Sequence, residues 1–388
     1  MKKIIIVMFS LENGGAEKSL VNLLNELPEQ KYEISLLLFK KTGTFLTQVP
    51  DFVNILETPD EIKRLYGPLK NAGKYMIFRI VANFLSLRYI SNPIQRRIFR
   101  WKYFYSKCIK KIDSTYDIGL AYVSDEIMYL LDEKIEAREK IVMVHNDYRS
   151  GGNDATYDKQ YFQRMNKIVS ISPKCTNILK EVFPQFKNKI VMVENITSST
   201  VVKQKSEEFY PKEYGKEKLV FLSIGRLTEQ KGYDIAVAAA AIMKQKGLKF
   251  KWYIIGNGHL ENKIKELIRQ EKVEDYFVLL GIRENPYPYI KNCTILIQPS
   301  RYEGKSIVLD EAKILAKPIL VTAYPTVSDQ IKNGKEGIIV PMTPEGIVKG
   351  VEKYLSESDT YKKIEKYLSM HDYGNAKEVI KYMELFDE

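Results

Sequence analysis

Short apolar runs, each closed by a glycine or polar turn and followed by a stretch of helical spacing, recur along the whole chain. This alternation constrains the fold more than any other feature. Strands joined through helices run parallel, because a parallel connection needs a crossover of a dozen or more residues. The helices then cover both sheet faces, so the strands read as nearly continuous apolar runs. Lys3–Phe9, Glu33–Phe39, Val53–Leu56, Asp117–Val123, Lys140–His145, Lys167–Ser172 and Lys189–Glu194 fit this description. Helices are expected at Ala16–Leu27, at two or more places within Tyr75–Lys111, and at Pro173–Phe183.

Residues Ile196–Lys218 are polar, weakly periodic, and read as a linker. A second series of strands follows at Leu219–Ile224, Phe250–Ile255, Phe277–Leu280, Thr294–Gln298, Pro318–Val321 and Gly337–Val340, with helices notably at Tyr233–Lys246 and Leu260–Glu271. At 388 residues the chain is long enough for two domains, each with its own core. The expected division is 1–196, 197–375 and a terminal helix in 376–388.

The opening Met1-Lys2-Lys3 and its apolar run pass directly into Asn13-Gly14-Gly15, which suits a buried first strand better than a signal peptide. No stretch approaches the roughly 20 apolar residues that span a bilayer. Three scattered cysteines (Cys108, Cys175, Cys293) suggest neither a disulfide framework nor a metal site, and point to a reducing cytoplasm. The three histidines are equally dispersed, without zinc-type spacing.

The net charge of +11 is concentrated. Thirteen Lys or Arg and no Asp or Glu lie between Ile62 and Ile112, leaving 47 basic against 49 acidic residues elsewhere. Nine aromatic residues from Tyr75 to Tyr105 share that segment. A basic, aromatic, amphipathic segment suits an anionic membrane surface, with Arg96, Arg97 and Arg100 among the charges that meet it. Ordinary surface helices with core aromatics are the plainer reading. Nucleic acid finds no support elsewhere in the chain and is not expected as a partner.

Several strand ends carry chemistry. Glu303 and Glu311, eight positions apart, lie in Ser300-Arg301-Tyr302-Glu303-Gly304-Lys305-Ser306-Ile307 and the helix that follows. The N–H groups of Gly304, Lys305 and Ser306 are expected to stay free at the helix start, a natural cradle for phosphate. The two carboxylates could then accept hydroxyls from a sugar and a ribose. Gly225-Arg226-Leu227-Thr228-Glu229-Gln230-Lys231-Gly232 places two cations five residues apart, able to neutralise a diphosphate. Gly14 and Gly15 would let the first strand–helix loop pass close to phosphate and sugar. His145 and Asp147 follow the strand Lys140–His145, at a carboxyl end where ligands bind. Gly256-Asn257-Gly258 is a weak glycine turn by itself.

The Glu303–Glu311 spacing in its P-S-x-x-E-G context, the G-R-L-x-x-x-K-G loop and the N-terminal G-G-A-E together resemble retaining GT-B glycosyltransferases of glycosyltransferase family 4. The resemblance covers nearly the whole chain and implies two Rossmann-like α/β domains whose parallel sheets face across a cleft, with the terminal helix packing back on the first. It implies that Arg226 and Lys231 hold the donor diphosphate, Glu303 the donor sugar and Glu311 the ribose. His145 would contact the sugar, and Gly256, Asn257 and Gly258 would admit the nucleotide backbone. Arg283 would stack on the base, Gly304, Lys305, Ser306 and Ile307 would line the phosphates, and Asp147 is an acceptor-side candidate.

The implied reaction is metal-independent, without a cofactor, and retains anomeric configuration. It moves a hexosyl group from a nucleotide sugar, with UDP the commoner family choice. A lipid-linked glycan precursor of bacterial capsule or exopolysaccharide is the expected acceptor, reached from the inner face of the membrane. A nucleotide-sugar epimerase of the same fold, or a membrane-binding protein with a decayed nucleotide site, are the alternatives.

Overall fold

The computed structural model describes every residue except Asn13, Gly151, Gly152, Glu357 and Glu388. The chain divides into two compact units. One comprises the first 194 residues, less 13–15, together with the C-terminal segment from Val379; the other contains 13–15 and Asn195–Glu378.

In the first unit, β1 (Lys2–Met8), β2 (Tyr32–Leu38), β3 (Asn54–Ile55), β4 (Thr115–Ala121), β5 (Glu136–Val144), β6 (Lys167–Ser170) and β7 (Ile190–Met192) form one sheet in the order β3-β2-β1-β4-β5-β6-β7. Every pairing is parallel, so each strand is followed by a crossover. The apolar run Ile4–Val7 has no exposed surface, as expected of a strand covered on both faces.

Helices unforeseen in the sequence run over Glu126–Lys134 and Ala155–Arg164. Each is started by an aspartate, Asp125 accepting from the Ile127 N–H at 3.0 Å and Asp154 from the Tyr157 N–H at 3.0 Å. The C-terminal helix Val379–Asp387 belongs to this unit. Lys2 Nζ donates to the Phe386 carbonyl at 2.8 Å, Tyr32 meets Phe386 edge-on at 5.7 Å, and Lys31 pairs with Asp387 at 2.5 Å.

Between β3 and β4 lies the basic segment. It folds into helices Asp60–Tyr66, Met76–Tyr89 and Pro93–Arg100, the last continuing through a π turn at Trp101–Tyr105. Trp101 and Tyr105 are buried in the unit's core, so part of the aromatic content is ordinary packing.

The second unit holds β8 (Val220–Ile224), β9 (Lys251–Ile255), β10 (Phe277–Gly281), β11 (Ile295–Gln298), β12 (Ile319–Thr322) and β13 (Ile338–Val340), again all parallel, in the order β10-β9-β8-β11-β12-β13. Successive side chains feed opposite faces. Phe221, Trp252 and Ile254 enter one core, while Leu222, Tyr253 and Ile255 enter the other.

The expected linker is corrected here. Residues 196–218 carry a helix at Ser199–Ser206 and a short turn at Lys212–Tyr214, and Val202 and Tyr214 are buried in one of those cores. Two anchoring side chains among many charges leave little periodicity to read.

Candidate functional site

In both sheets the chain order reverses once, between β1 and β4 and between β8 and β11. At such a reversal the loops leave to opposite faces and open a crevice at the carboxyl ends of the strands. In the second unit the reversal is bracketed by the loop after β8, which carries Arg226 and Lys231, and the loop after β11, which carries Glu303.

The structure brings two of these residues together. Lys231 Nζ meets Glu303 Oε1 at 2.6 Å, and both side chains are largely enclosed, at 16% and 8% exposure. Three neutral donors complete the carboxylate's surroundings: Ser300 Oγ at 2.7 Å and Gln298 Nε2 at 3.3 Å on Oε1, and Gln230 Nε2 at 3.4 Å on Oε2. The loop is fixed from behind, since Thr326 Oγ1 donates to the Glu303 carbonyl at 2.8 Å and Gln230 Nε2 to that of Tyr302 at 2.9 Å. Arg301 forks onto Asp234 at 2.9 and 2.6 Å and ties the two loops at their rim. Arg226 is exposed and its guanidinium makes no hydrogen bond or ion pair among the described residues.

The helix Ile307–Ile314 starts beside this pair, with Ile307 buried. The Ser306 donor, expected to stay free, is taken within the protein. The Ser306 N–H donates to Gln330 Oε1 at 2.7 Å, while Gln330 Nε2 donates back to the Ser306 carbonyl at 2.7 Å and to Asp310 Oδ1 at 3.1 Å. A buried helix end must satisfy its own backbone donors, and a glutamine amide does so on both sides. Gly304 and Lys305 complete the approach to the helix, and Lys305 Nζ lies 3.7 Å from Asp310, which also pairs with Lys313 at 3.2 Å. Glu311 has no exposed surface.

The glycine turns have a structural reason of their own. Gly256 sits at φ +144°, and a Cβ there would lie 2.1 Å from the Gly225 carbonyl oxygen. A Cβ on Gly258 would fall 2.3 Å from that of Leu227. The loops after β8 and β9 thus lie backbone to backbone, with the Leu227 N–H donating to the exposed Asn257's carbonyl at 2.8 Å. Arg283 is committed within the protein: Nε donates to Tyr289 Oη at 3.0 Å, Nη1 to the Leu280 carbonyl at 2.6 Å and Nη2 to Glu213 at 2.9 Å. These hydrogen bonds, made in the guanidinium plane, fix the orientation of the group expected to stack on a base.

Gly14 and Gly15 follow β1 in the chain, and the helix Gly15–Glu26 opens there. The preceding Asn13 of that motif lies outside the described residues. Ser19 on this helix shares a hydrogen bond with Tyr122 Oη at 2.8 Å, and the Tyr122 ring lies against His145, centroids 5.0 Å apart. Both imidazole nitrogens are buried, and burial pushes His145 down to about 4, leaving a neutral ring at pH 7. Asp147 is spent locally. It accepts from the Arg149 and Ser150 N–H groups at 3.0 and 3.3 Å and from Ser150 Oγ at 2.8 Å.

Sequence reasoning passed over Gln230, Gln298, Ser300, Thr326 and Gln330. Their positions at strand ends or in the loops that follow were the only available signal. Among the described residues no group of three or more His, Cys, Asp or Glu is placed to hold a metal ion.

Residues 204–369 match the family model for glycosyl transferases group 1. An uncharacterized glycosyltransferase of Methanocaldococcus jannaschii is 29% identical over 219 residues, 54% of this chain, and the chain spans about half (52%) of that relative's length. The N-acetylgalactosamine-N,N'-diacetylbacillosaminyl-diphospho-undecaprenol 4-alpha-N-acetylgalactosaminyltransferase of Campylobacter jejuni is 24% identical over 94% of this chain and 92% of its own length. Among solved structures, Anabaena HepE in complex with UDP and glucose superposes with a TM-score of 0.73 at 13% identity, covering 99% of this chain and 98% of that one. S. aureus TarM, a mutant in a complex containing UDP, gives 0.66 at 15% identity with complete coverage of both chains.

Proposed function

We propose that this chain, whose fold is GT-B and whose second unit carries the glycosyl transferase match, is a retaining, metal-independent hexosyltransferase. It moves a sugar from a UDP-sugar to a lipid-linked glycan precursor of bacterial surface polysaccharide. The observation that carries the reading is the Lys231–Glu303 pair at the strand-order reversal, beside an exposed Arg226.

In this reading Arg226 and Lys231 face the donor diphosphate and stabilise the charge that develops as the glycosidic bond breaks. Preorganised cations at a leaving group are usually the largest single catalytic contribution. Glu303 accepts hydroxyl groups of the donor sugar. It is already oriented by Ser300, Gln298 and Gln230, so little ordering is left for the moment of binding. Glu311 takes the ribose, and Gly14, Gly15, Gly304 and Lys305 offer backbone approach to the phosphates. His145, neutral at pH 7, donates to or accepts from a sugar hydroxyl without adding charge.

The uridine assignment draws on the UDP complexes of HepE and TarM, and the acceptor class on the undecaprenol diphosphate in the name of the C. jejuni relative. No helix among the described residues is long and apolar enough to cross a membrane. In this reading the enzyme works on such an acceptor at the inner face of the membrane.

The test is a thermal-shift screen with UDP, GDP, ADP, CDP and dTDP in the presence of EDTA. UDP alone should raise the Tm, since a ligand that binds only the folded state stabilises it by mass action. Stabilisation that needs a divalent ion would refute the metal-independent chemistry. No stabilisation by any nucleotide would refute the donor site.

A further inference from the structure

The helix Met76–Tyr89 carries its apolar face outward. Ile77, Ile80, Val81, Phe84 and Leu87 are 76, 49, 41, 64 and 60% exposed. Their spacing of three and four residues puts them on one stripe. On the opposite side Ala82 and Ser86 are buried, Arg79 reaches inward to the Arg64 carbonyl at 2.8 Å, and at its flank Leu85 is half-buried and Phe78 meets Phe104 edge-on. A helix on a water-facing surface has the reverse arrangement, and an outward apolar stripe of this extent marks an interaction site.

The surroundings of the stripe choose the partner. Thirteen cations and no carboxylate lie between Ile62 and Ile112. Lys70, Lys74, Arg88 and Lys102 are exposed around the helix. Arg96, Arg97 and Arg100, singled out in the sequence, are instead committed to the Ile90 carbonyl, Asp125 and Asn83. A second copy meeting this face through a twofold contact would bring cations against cations, with no acidic partner in the segment. A bilayer of anionic lipids supplies both an apolar layer and negative charge. At 14 residues the helix is about 21 Å long, short of the about 30 Å hydrocarbon core, and suited to lie in the interface.

We propose that the helix Met76–Tyr89 lies in the plane of an anionic lipid surface, its apolar stripe in the acyl–headgroup boundary and the flanking cations among the phosphates. The inference deepens the lipid-linked acceptor reading and takes its biological purpose from it. Held there, the first unit meets an acceptor at the membrane surface without a spanning segment.

Vesicle binding by the full chain tests this independently of activity. Both native tryptophans, Trp101 and Trp252, are fully buried, so Phe84→Trp adds an exposed reporter. Vesicles of phosphatidylglycerol and phosphatidylcholine should shift its emission to the blue and pellet the protein, and phosphatidylcholine alone should do so far less. Ile80→Ser with Leu87→Ser should weaken binding at least about tenfold, or about 1.4 kcal/mol, at unchanged Tm. Lys70→Gln, Lys74→Gln and Arg88→Gln together should remove the preference for phosphatidylglycerol.

Absence of binding, or binding that the serine variant leaves intact, overturns the proposal. So does a concentration-dependent dimer that only the serine variant dissolves. UDP-induced stabilisation of the same preparation separates the outcomes. Vesicle failure with intact UDP binding removes this inference alone, and UDP failure with intact vesicle binding removes the donor site alone.

Discussion

The Lys231–Glu303 pair offers the sharpest test of the site, because its two members are assigned different tasks. At 2.6 Å and an effective dielectric of about 20, their direct attraction is of order 6 kcal/mol before desolvation is subtracted. Removing one partner of a buried pair typically costs about 3–5 kcal/mol. Here Ser300, Gln298 and Gln230 remain on the carboxylate, each hydrogen bond to a charged group offsetting about 1.5–3 kcal/mol when well formed. Two of the three are long, so Lys231→Met should destabilise by about 2–3 kcal/mol. Glu303→Gln should cost less, about 1–2 kcal/mol, because a lysine stem lets its ammonium turn toward water. The double variant should recover about 1–2 kcal/mol relative to the sum.

Urea unfolding of the four proteins measures this coupling, and calorimetry with UDP separates the roles. Lys231→Met should weaken UDP at least about tenfold, as loss of one charge-assisted phosphate contact implies. Glu303→Gln should keep UDP affinity and lose sugar transfer. Additivity within about 0.5 kcal/mol would mean that the pair is not coupled in solution. Unchanged UDP affinity in Lys231→Met would remove that lysine from the diphosphate.

Other consequences follow from single contacts. His145 should titrate near pH 4 by NMR; because its folded value lies below the unfolded one, near 6.5, it contributes stability above that range that is lost as pH falls toward 4. His145→Gln should flatten that part of the pH–stability curve, and a midpoint near 6.5 would refute its burial. Gln330→Leu strips three hydrogen bonds from the buried helix start and should cost about 2–4 kcal/mol in urea unfolding, against under 1 kcal/mol if water replaces them. Gly256→Ala should lower the Tm sharply whether or not nucleotide is present, since its Cβ would fall on the Gly225 carbonyl; a change in UDP affinity alone would instead favour a purely ligand-facing glycine.

The α/β class and the parallel sheets were legible because a doubly covered strand leaves an unmistakable apolar run, as 4–7 and 295–297 do. The charged site residues were legible because their loops begin where such runs stop. What the sequence hid depends on distant partners. Nothing local indicates that Gln330, 24 residues on, caps Ser306, or that Gln230, 73 residues earlier, reaches Glu303. Gly256 and Gly258 answer to the neighbouring loop after β8, a demand that spacing cannot express.

The basic segment shows the same limit from the other side. Charge counting found the surface but not the members that face outward, since Arg96, Arg97 and Arg100 are as basic as Lys70, Lys74 and Arg88 and are tied inward. Aromatic content divides in the same way: Trp101 and Tyr105 fill the core, while Phe84 and Tyr89 stay exposed. The outward stripe is decided by the inner face of the helix, where the fully buried positions are the small Ala82 and Ser86. A helix that contributes so little to its own core is retained most simply for what its other side meets. Stability and membrane contact should therefore separate cleanly in the stripe variants, which a core helix would not allow.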